Sequence, residues 1–473
     1  MPDIETIADR LLADEPALLS SLDFGAFVAQ GAGSGPSVLI GDASEISLMQ
    51  TAWASHLDHR MAHLAKPGDM VLVRENDACF ARYLKDYRGI EDVAFVNAGP
   101  SRNDSVAKLM LNSQARLRDF VDLACQNGGL TFKPYITTGT IWHLAQAIGE
   151  RAGLVINVSG PSPRISQRAN DKLWFTHLAR TVIGGDAVPP TMSAYGPKAA
   201  AALIFRLSSQ GQQVIVKVPD SAGSKGNVRL DQTVLEGLTV DQIEALLLDR
   251  LHGTGWSDSY PILVGVWDEN VTCTPSVQMW IPHVAEGKPS AQGVFEQRVF
   301  GASAAFIGAV KSELPQPLQD TLVAQTLAVA EVLQRLGYYG RCSFDAVICD
   351  GNTAEPSIHW IECNGRWSGV SIPLATLNSI STGQIPDGLV IIQEKLPGNP
   401  INTSQAVTAL ESVLYCGGLA DNGVILMSPP TGAEASTINL LVFARHQSDA
   451  IRLGDRAMAL LKNVTADQVL ASE

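Results

Sequence analysis

The chain has 473 residues, of which 46% are hydrophobic and 17% charged, and its net charge is −14. This length exceeds a single ordinary core and predicts two or three domains. A protein that binds the nucleic acid backbone needs clustered lysines and arginines, so the acidic charge argues against nucleic acid as a partner. No stretch approaches the roughly 20 apolar residues of a membrane span, and the acidic N-terminus has no basic segment followed by an apolar run. We therefore expect a cytoplasmic protein without membrane contact.

Seven cysteines, an odd number, are scattered along the chain without a Cys-x-x-Cys pair. Such spacing indicates reduced thiols rather than a disulfide framework or a zinc site. Cys363 lies inside a motif described below, where we interpret it as a small buried side chain.

Residues 1 to about 165 alternate between helical and strand patterns, with strands predicted at 37–40, 70–74 and 93–97. The alternation predicts an N-terminal three-layer α/β domain. A glycine-rich stretch at 31–36 precedes a strand and ends in proline, whereas a phosphate-binding loop follows a strand and opens a helix. We interpret this stretch as a plain loop.

A second pattern begins at Asn170, where the apolar spacing predicts a helix over residues 171–183. A strand at 214–218 follows, then a helix that opens with the Thr239 and Gln242 capping box and closes near Gly253, then a strand at 261–267. These elements predict a small α+β unit.

Further along, a helical pattern ends at Gly337 and two apolar strands follow at 343–348 and 358–363. The segment between these strands is rich in turn formers, so we predict that they pair as a hairpin. Beyond residue 380, helices at about 404–416 and 448–462 and strands at 423–427 and 437–444 predict a C-terminal α/β extension.

One apolar strand carries Lys217 and runs into a Gly-Ser-Lys-Gly loop. Glycines let backbone N–H groups approach phosphate oxygens closely, and a lysine on the preceding strand adds a fixed positive charge. The pattern indicates a polyphosphate site formed by Lys217, Gly223, Ser224, Lys225 and Gly226. The alternative interpretation is an ordinary hairpin whose lysine reaches solvent along its aliphatic stem.

The predicted hairpin carries three oxygen ligands. Glu362 and Asn364 are two residues apart on one strand and so share a face, and a turn near residues 353–354 brings Asp345 opposite them. Two carboxylates and an amide oxygen suit Mg²⁺, which prefers hard oxygen donors. The alternative is a solvated polar face, but the apolar residues around these ligands indicate a partly buried site, where carboxylates without a counter-charge are costly.

Taken in order, these features resemble the ATP-grasp superfamily of carboxylate ligases. The order is a helix opening at Asn170-Asp171-Lys172, the Lys217 strand with its loop, a hinge strand, and then the three oxygen ligands. The resemblance implies a central ATP-grasp domain at 166–375 with a lid at about 195–268. A pre-ATP-grasp domain at 1–165 would precede it and a C-terminal extension at 376–473 would follow.

The same resemblance implies roles for individual residues. Lys172 and Lys217 are expected to contact the phosphates of ATP, Lys217 also acting in catalysis, and the three oxygen ligands are expected to hold Mg²⁺. The hinge at 261–269 implies adenine contacts from Val264, Val266 and Trp267. It departs from the commoner hinge pattern of the family, so either Asp268 or Glu269 is open as the ribose partner, or both simply begin a turn.

Within the superfamily the layout resembles the pheganomycin-type peptide ligases, on the segments Val71-Leu-Val-Arg-Glu-Asn76, Gly340-Arg-Cys-Ser-Phe-Asp-Ala346 and Glu362-Cys-Asn-Gly-Arg-Trp-Ser-Gly369. This implies joining of a small-molecule carboxylate to an amine, each an amino acid or peptide, through an acyl phosphate. Arg341 and Arg366 are candidates to orient the carboxylate or stabilise an oxyanion, or are structural ion-pair partners. The alternatives are a ligase that loads a carrier protein and a non-catalytic ATP-binding module. The oligomeric state is open, and a homodimer is one option for it.

Overall fold

The computed structural model describes residues 3–20, 24–48, 58–101, 104–221, 226–301, 305–350, 356–381, 386–418, 421–432 and 434–471. Within these ranges the strands form three sheets of six, four and nine strands. All seven cysteines are free thiols. Among the described residues, no helix combines the length and apolar character needed to cross a bilayer.

The N-terminal sheet is parallel, with strand order β1-β6-β5-β2-β3-β4. Its strands are β1 (Val28–Gln30), β2 (Ser37–Ile40), β3 (Met70–Val73), β4 (Ala94–Asn97), β5 (Leu130–Pro134) and β6 (Ile156–Val158). The helices here are α1 (Ile4–Asp14), α2 (Ala17–Ser20), α3 (Ala78–Arg88), α4 (Val106–Leu111), α5 (Gln114–Asn127) and α6 (Gly139–Ala152), with a 3₁₀ helix at Asp58–Leu64. The predicted α/β layering of this region is confirmed.

Both faces of this sheet are covered, as the apolar character of its strands requires. Val38, Ile40 and Leu72 pack into one core with helices α4 to α6. Leu39 and Val71 point the other way and share a second core with residues beyond 388. The C-terminal segment is therefore packed directly on the N-terminal domain.

A buried ion cluster secures the end of β3. Arg74 donates to Asp42 and to Asp58, each at 2.9 Å, and these three side chains are almost fully buried. Burial raises the pKa of Asp58 to about 7 although Arg74 opposes the rise. Removal of the arginine would leave two buried carboxylates without a counter-charge.

Two short helices, α7 (Pro163–Asn170) and α8 (Lys172–Val182), connect this domain to the lid. The lid is an antiparallel sheet of order β7-β10-β8-β9. Its elements are β7 (Thr191–Ala194), α9 (Pro197–Ser209), β8 (Val214–Lys217), β9 (Asn227–Leu230), α10 (Gln232–Leu235), α11 (Val240–His252) and β10 (Ile262–Val266). Two 3₁₀ helices lie outside the lid, Gly185–Ala187 before it and Val284–Glu286 after it. The predicted capping box of Thr239 and Gln242 opens α11.

The large sheet has the order β11-β15-β12-β13-β14-β17-β19-β18, and β16 pairs with β15. Its central elements are β11 (Val271–Cys273), β12 (Pro275–Ile281), β13 (Ser290–Phe300), β14 (Ala305–Lys311), α12 (Gln316–Arg335), β15 (Gly340–Cys349), β16 (Ser357–Asn364) and α13 (Ser371–Ile380). The predicted hairpin is the antiparallel pair β15 and β16.

The strands of the C-terminal segment continue this same sheet. They are β17 (Gly388–Lys395), β18 (Gly423–Leu426) and β19 (Thr437–Ala444), and the helices are α14 (Thr403–Leu410) and α15 (Gln447–Ala471). Helix α14 ends before the predicted residue 416, because the chain turns there to place Leu414 beside Val424. Arg60 of the N-terminal domain donates to Gln393 on β17 and to Asn439 on β19, so polar contacts reinforce the shared core.

Candidate active site

Asp345, Glu362 and Asn364 come together on one face of the hairpin, as predicted. Asp345 pairs with Glu362 in register, and a shift follows immediately at the next residue pair. Asn364 donates from Nδ2 to Asp345 Oδ2 at 2.9 Å, and Ser276 on β12 donates to Asp345 Oδ1 at 2.6 Å. Neighbouring strands therefore hold two carboxylates and an amide side by side.

Asp345 and Glu362 are adjacent carboxylates, so their ionisation depends on burial and on the cations nearby. Burial and the neighbouring Glu362 carboxylate raise the pKa of Asp345 to about 6. Burial alone would also raise the pKa of Glu362, but the Lys172 ammonium 3.1 Å from Glu362 Oε2, together with Arg366 and Lys217, outweighs burial and lowers that pKa. Lys172, Arg366 and Lys217 thus offset the charge of Glu362, and Arg366 also acts on Asp345. The oxygen donors fit a divalent cation such as Mg²⁺.

Lys172 is held at this point by the start of helix α8. Asp171 caps the helix by accepting from the backbone N–H groups of Leu173 and Trp174. The Lys172 backbone N–H donates to Pro219 O at 3.0 Å, and its ammonium donates to Ser221 O. The lysine therefore ties the large sheet to the segment that leads into the glycine-rich loop.

Lys217 ends strand β8 of the lid and lies near the carboxylates of Glu362 and Asp268. Burial lowers the pKa of Lys217 to about 8, an effect that Glu362 opposes and Lys172 strengthens. Two lysines and three oxygen ligands from separate parts of the chain thus converge between the lid and the large sheet. This is the arrangement that the sequence resemblance implies.

Of the predicted phosphate loop, Gly223, Ser224 and Lys225 lie outside the described residues, and Gly226 closes it. A Cβ atom at Gly226 would collide with Ser221 Oγ and would lie 2.9 Å from Val218 Cβ. Only glycine allows this approach of the two ends of the loop beside Lys172.

Arg366 belongs to this site. Its guanidinium donates to Asn364 Oδ1 at 2.5 Å and to the side chain of Asn170. Gly365 allows this contact, because a Cβ atom there would lie 2.7 Å from Ala169 Cβ on helix α7. Its hydrogen-bond partners are amides, while its charge acts to lower the pKa of both Asp345 and Glu362.

Arg341 lies apart from the metal ligands, four residues before Asp345 on the same strand and the same face. Its guanidinium carbon is 4.8 Å from the ring centroid of Trp367 and 5.7 Å from that of Trp280. The two indoles hold the guanidinium by cation–π contacts. Of the two predicted substrate arginines, only Arg366 contacts one of the three predicted metal ligands.

In the hinge strand, the side chains of Val264 and Val266 lie on the face of the lid sheet opposite to Lys217. Val264 is fully buried in the lid core and Val266 packs against that core. Leu263 instead pairs with Lys217 and lies on the same face of the lid sheet as the lysine, together with Ile215. Alternation from Lys217 would have identified these two residues. The predicted roles of Val264 and Val266 stay predictions and would fall to their backbone atoms.

Beyond the hinge, Trp267 lies under the Arg229 guanidinium, whose carbon is 5.4 Å from the ring centroid. Asp268 Oδ1 is 2.9 Å from Nδ1 of His359 on β16, while Glu269 is exposed. Asp268 is thus engaged within the protein, and the ribose role of Asp268 or Glu269 stays a prediction. Cys349 has its sulfur within 4.8 Å of the ligand atoms of Asp268 and His359, but burial raises the pKa of this thiol to about 11, which disfavours the thiolate a metal needs.

Comparison with known proteins agrees with this architecture. Residues 58–150 match the family model of the Pre ATP-grasp domain. N5-carboxyaminoimidazole ribonucleotide synthetase from Thermus thermophilus has a similar fold, with 12% identity, a TM-score of 0.54, and 90% of this chain and 98% of that chain covered. An ADP complex of the same kind of enzyme is 12% identical to this chain with a TM-score of 0.54, and the match covers 92% of this chain and 98% of that chain.

Biotin carboxylase from Campylobacter jejuni, solved as a β,γ-ATP complex, gives 14% identity and a TM-score of 0.53, with 88% of this chain and 89% of that chain covered. Among curated protein sequences, none is significantly similar to this chain. At these identities the structural likenesses establish the fold. The chain is a multidomain α/β protein with a match to the Pre ATP-grasp domain and a fold similar to those of these enzymes; the predicted α/β fold class is confirmed.

Proposed function

We propose that this protein is an ATP-dependent carboxylate–amine ligase that releases ADP and phosphate. The observation that carries the proposal is the convergence of Lys172 and Lys217 on Asp345, Glu362 and Asn364 between two sheets. Two cations facing two carboxylates and an amide fit a polyphosphate bound with a divalent cation. The likeness to solved ATP-grasp folds supports the same interpretation.

In the proposed reaction, a carboxylate oxygen of the substrate attacks the γ-phosphorus of ATP, and the bond from that phosphorus to the bridging oxygen of ADP breaks. An amine then attacks the acyl carbon, loses a proton and displaces inorganic phosphate, which leaves an amide. Lys172 and Lys217 hold the phosphate oxygens and offset their charge, and Arg366 orients the carboxylate. Mg²⁺, held by Asp345, Glu362 and Asn364, would supply further positive charge to the phosphoryl group.

The finer proposal is a peptide ligase of the pheganomycin type, which joins amino acids or short peptides. Its support is the layout of three regions around the site and the motifs Gly340–Ala346 and Glu362–Gly369. We place the protein in the cytoplasm, where ATP is supplied, and leave a homodimer as a compatible state of assembly.

A carrier-protein ligase is the second candidate, since it would use the same acyl phosphate and transfer the acyl group to a thiol. It would require a phosphopantetheinyl partner, and such acidic carriers bind basic surfaces, which a chain of net charge −14 offers little of. A non-catalytic nucleotide-binding module would not need both lysines and all three oxygen ligands.

The experiment is a coupled assay of ADP and phosphate release from Mg-ATP with a panel of amino acids and dipeptides. Wild-type protein should release ADP and phosphate with at least one substrate pair, and Glu362→Gln should release neither while keeping its fold. Asp421→Asn, which removes an exposed carboxylate paired with Arg445, is the control and should behave as wild type. Undiminished turnover by Glu362→Gln would refute the assignment.

A further inference from the structure

A cavity of about 230 Å³ opens between the N-terminal domain and the large sheet. One wall is the carboxyl end of β5 and β6, where ligands of parallel sheets commonly bind. The opposite wall carries Trp280, Arg341, Arg366 and Trp367. The cavity therefore extends from the arginine beside the metal ligands to the arginine held between two indoles.

The cavity is cationic. Among the described residues, its lining includes Lys133, Arg341 and Arg366 and no aspartate or glutamate. Neither Lys133 nor the Arg341 side chain forms an ion pair with a carboxylate of the described chain, and burial lowers the pKa of each. A largely buried guanidinium without a protein counter-ion is costly, and an anionic ligand would offset that cost.

The other lining residues are apolar or aromatic, among them Met61, Leu64 and Tyr135. Such a mixture of apolar walls and a few placed charges is typical of a small-molecule site. The Arg341 guanidinium is fixed in orientation by the rings on either side, so it is prepared to receive a planar anion such as a carboxylate.

A second cavity, of about 300 Å³, adjoins the first and shares Thr137 and Arg366 with it. Its lining carries the acidic residues Glu45 and Asp220 near the start of the glycine-rich loop. The charged residues that line the two cavities, apart from the shared Arg366, are therefore of opposite sign. An anionic substrate fits the first, and a substrate with an ammonium group fits the second.

We propose that the first cavity binds the carboxylate substrate of the ligase, and that this substrate carries a second anionic group, which Arg341 and Lys133 bind. The inference rests on the proposed function for the identity of the reacting carboxylate at Arg366. Arg341 and Asp345 are four residues apart on one strand, or roughly 13 Å. That separation suits a dipeptide with an acidic side chain rather than a single monoanionic amino acid.

The test compares dipeptides that differ only in one charge. Glu-Ala and Gln-Ala are supplied with Mg-ATP and hydroxylamine, which replaces the amine substrate and traps the acyl phosphate as a hydroxamate. Wild-type protein should show a kcat/KM for Glu-Ala roughly ten- to a hundredfold above that for Gln-Ala. In Arg341→Met the ratio should fall close to one through a higher KM for Glu-Ala, with the Kd for ADP unchanged.

Two further variants define the role of the guanidinium. Arg341→Lys should restore part of the preference, because it returns the charge without the planar donors. Arg445→Met, which removes an exposed arginine of a surface ion pair, is the matched control and should keep the wild-type ratio. A ratio that stays at the wild-type value in Arg341→Met would overturn the proposal.

Calorimetric binding of the two dipeptides in the presence of Mg-ADP separates this inference from the proposed function. Tighter binding of Glu-Ala that Arg341→Met abolishes would support the anionic pocket even without turnover, and the absence of turnover would then count against the ligase. Hydroxamate formation at equal rates from both dipeptides would overturn the second-anion inference and leave the ligase standing. Equal binding of both dipeptides would overturn it as well.

Discussion

Replacement of Asp345 by asparagine is expected to stabilise the metal-free protein while it removes one ligand of the proposed Mg²⁺ site. The folded protein raises the pKa of Asp345 from 3.8 to about 6, through burial and the neighbouring Glu362 carboxylate. Stability from the protonated form is present below about pH 4 and is lost as the pH rises through about 6. Above that pH the ionised side chain therefore destabilises the fold.

The size of the effect follows from the same values. A pKa rise of about 2 corresponds to about 3 kcal/mol in the free energy of unfolding. Asparagine cannot accept both of the hydrogen bonds that Asp345 receives from Ser276 and Asn364, and loss of one costs about 1 kcal/mol. The net expectation at pH 7.5 without metal is a gain of about 2 kcal/mol.

The assay is urea denaturation of wild type and Asp345→Asn at pH 4 and at pH 7.5, each with and without Mg-ADP. The variant should gain stability over wild type at pH 7.5 but not at pH 4. Mg-ADP should stabilise wild type strongly and the variant little, because the ligand stabilises only a state that binds it. A variant that is less stable than wild type at pH 7.5 without metal, or that Mg-ADP stabilises equally, would refute the reasoning.

Three other expectations follow from the structure. Burial lowers the pKa of Lys217 to about 8, so its charge is lost above that pH. In a fluorescence titration, the ADP affinity of the wild type should therefore fall by up to about tenfold per pH unit above about pH 8. Lys217→Met should bind ADP weakly at every pH. Arg74→Met should lose about 3–5 kcal/mol in urea denaturation, since two buried carboxylates lose their partner. Gly365→Ala should lose about 1–3 kcal/mol and lower kcat, because its Cβ atom would collide with helix α7 and shift the residues on either side.

The sequence predicted that Asp345, Glu362 and Asn364 lie together, because their geometry is local. Spacing brings the two strands into approximate register, and the irregularity between Asp345 and Ala346 then sets Asp345 opposite Glu362. The convergence of Lys172 and Lys217 on them is a long-range contact, which only the family resemblance implied. The parallel order of the N-terminal strands likewise follows from their alternation with helices.

Other features lay beyond the sequence pattern. The hinge strand Ile262–Val266 is apolar on both faces. Periodicity therefore did not distinguish Val264, which lies in the lid core, from Leu263, which lies on the face of Lys217. Strand β19 is buried along its whole length. Its uniformly apolar sequence indicated neither which sheet the strand joins nor that it covers the N-terminal domain. The setting of Arg341 depends on Trp280, which no local spacing connects to it.

The central claim is that a carboxylate becomes an acyl phosphate at the site between the lid and the large sheet. The most direct test is isotope transfer from a substrate in which both oxygens of the reacting carboxylate are ¹⁸O, with the released phosphate analysed by mass spectrometry. One ¹⁸O atom should appear in each phosphate, in equal amount to the ADP and the new amide. Release of AMP and pyrophosphate, with ¹⁸O in AMP, or phosphate free of the label during amide formation, would contradict the account.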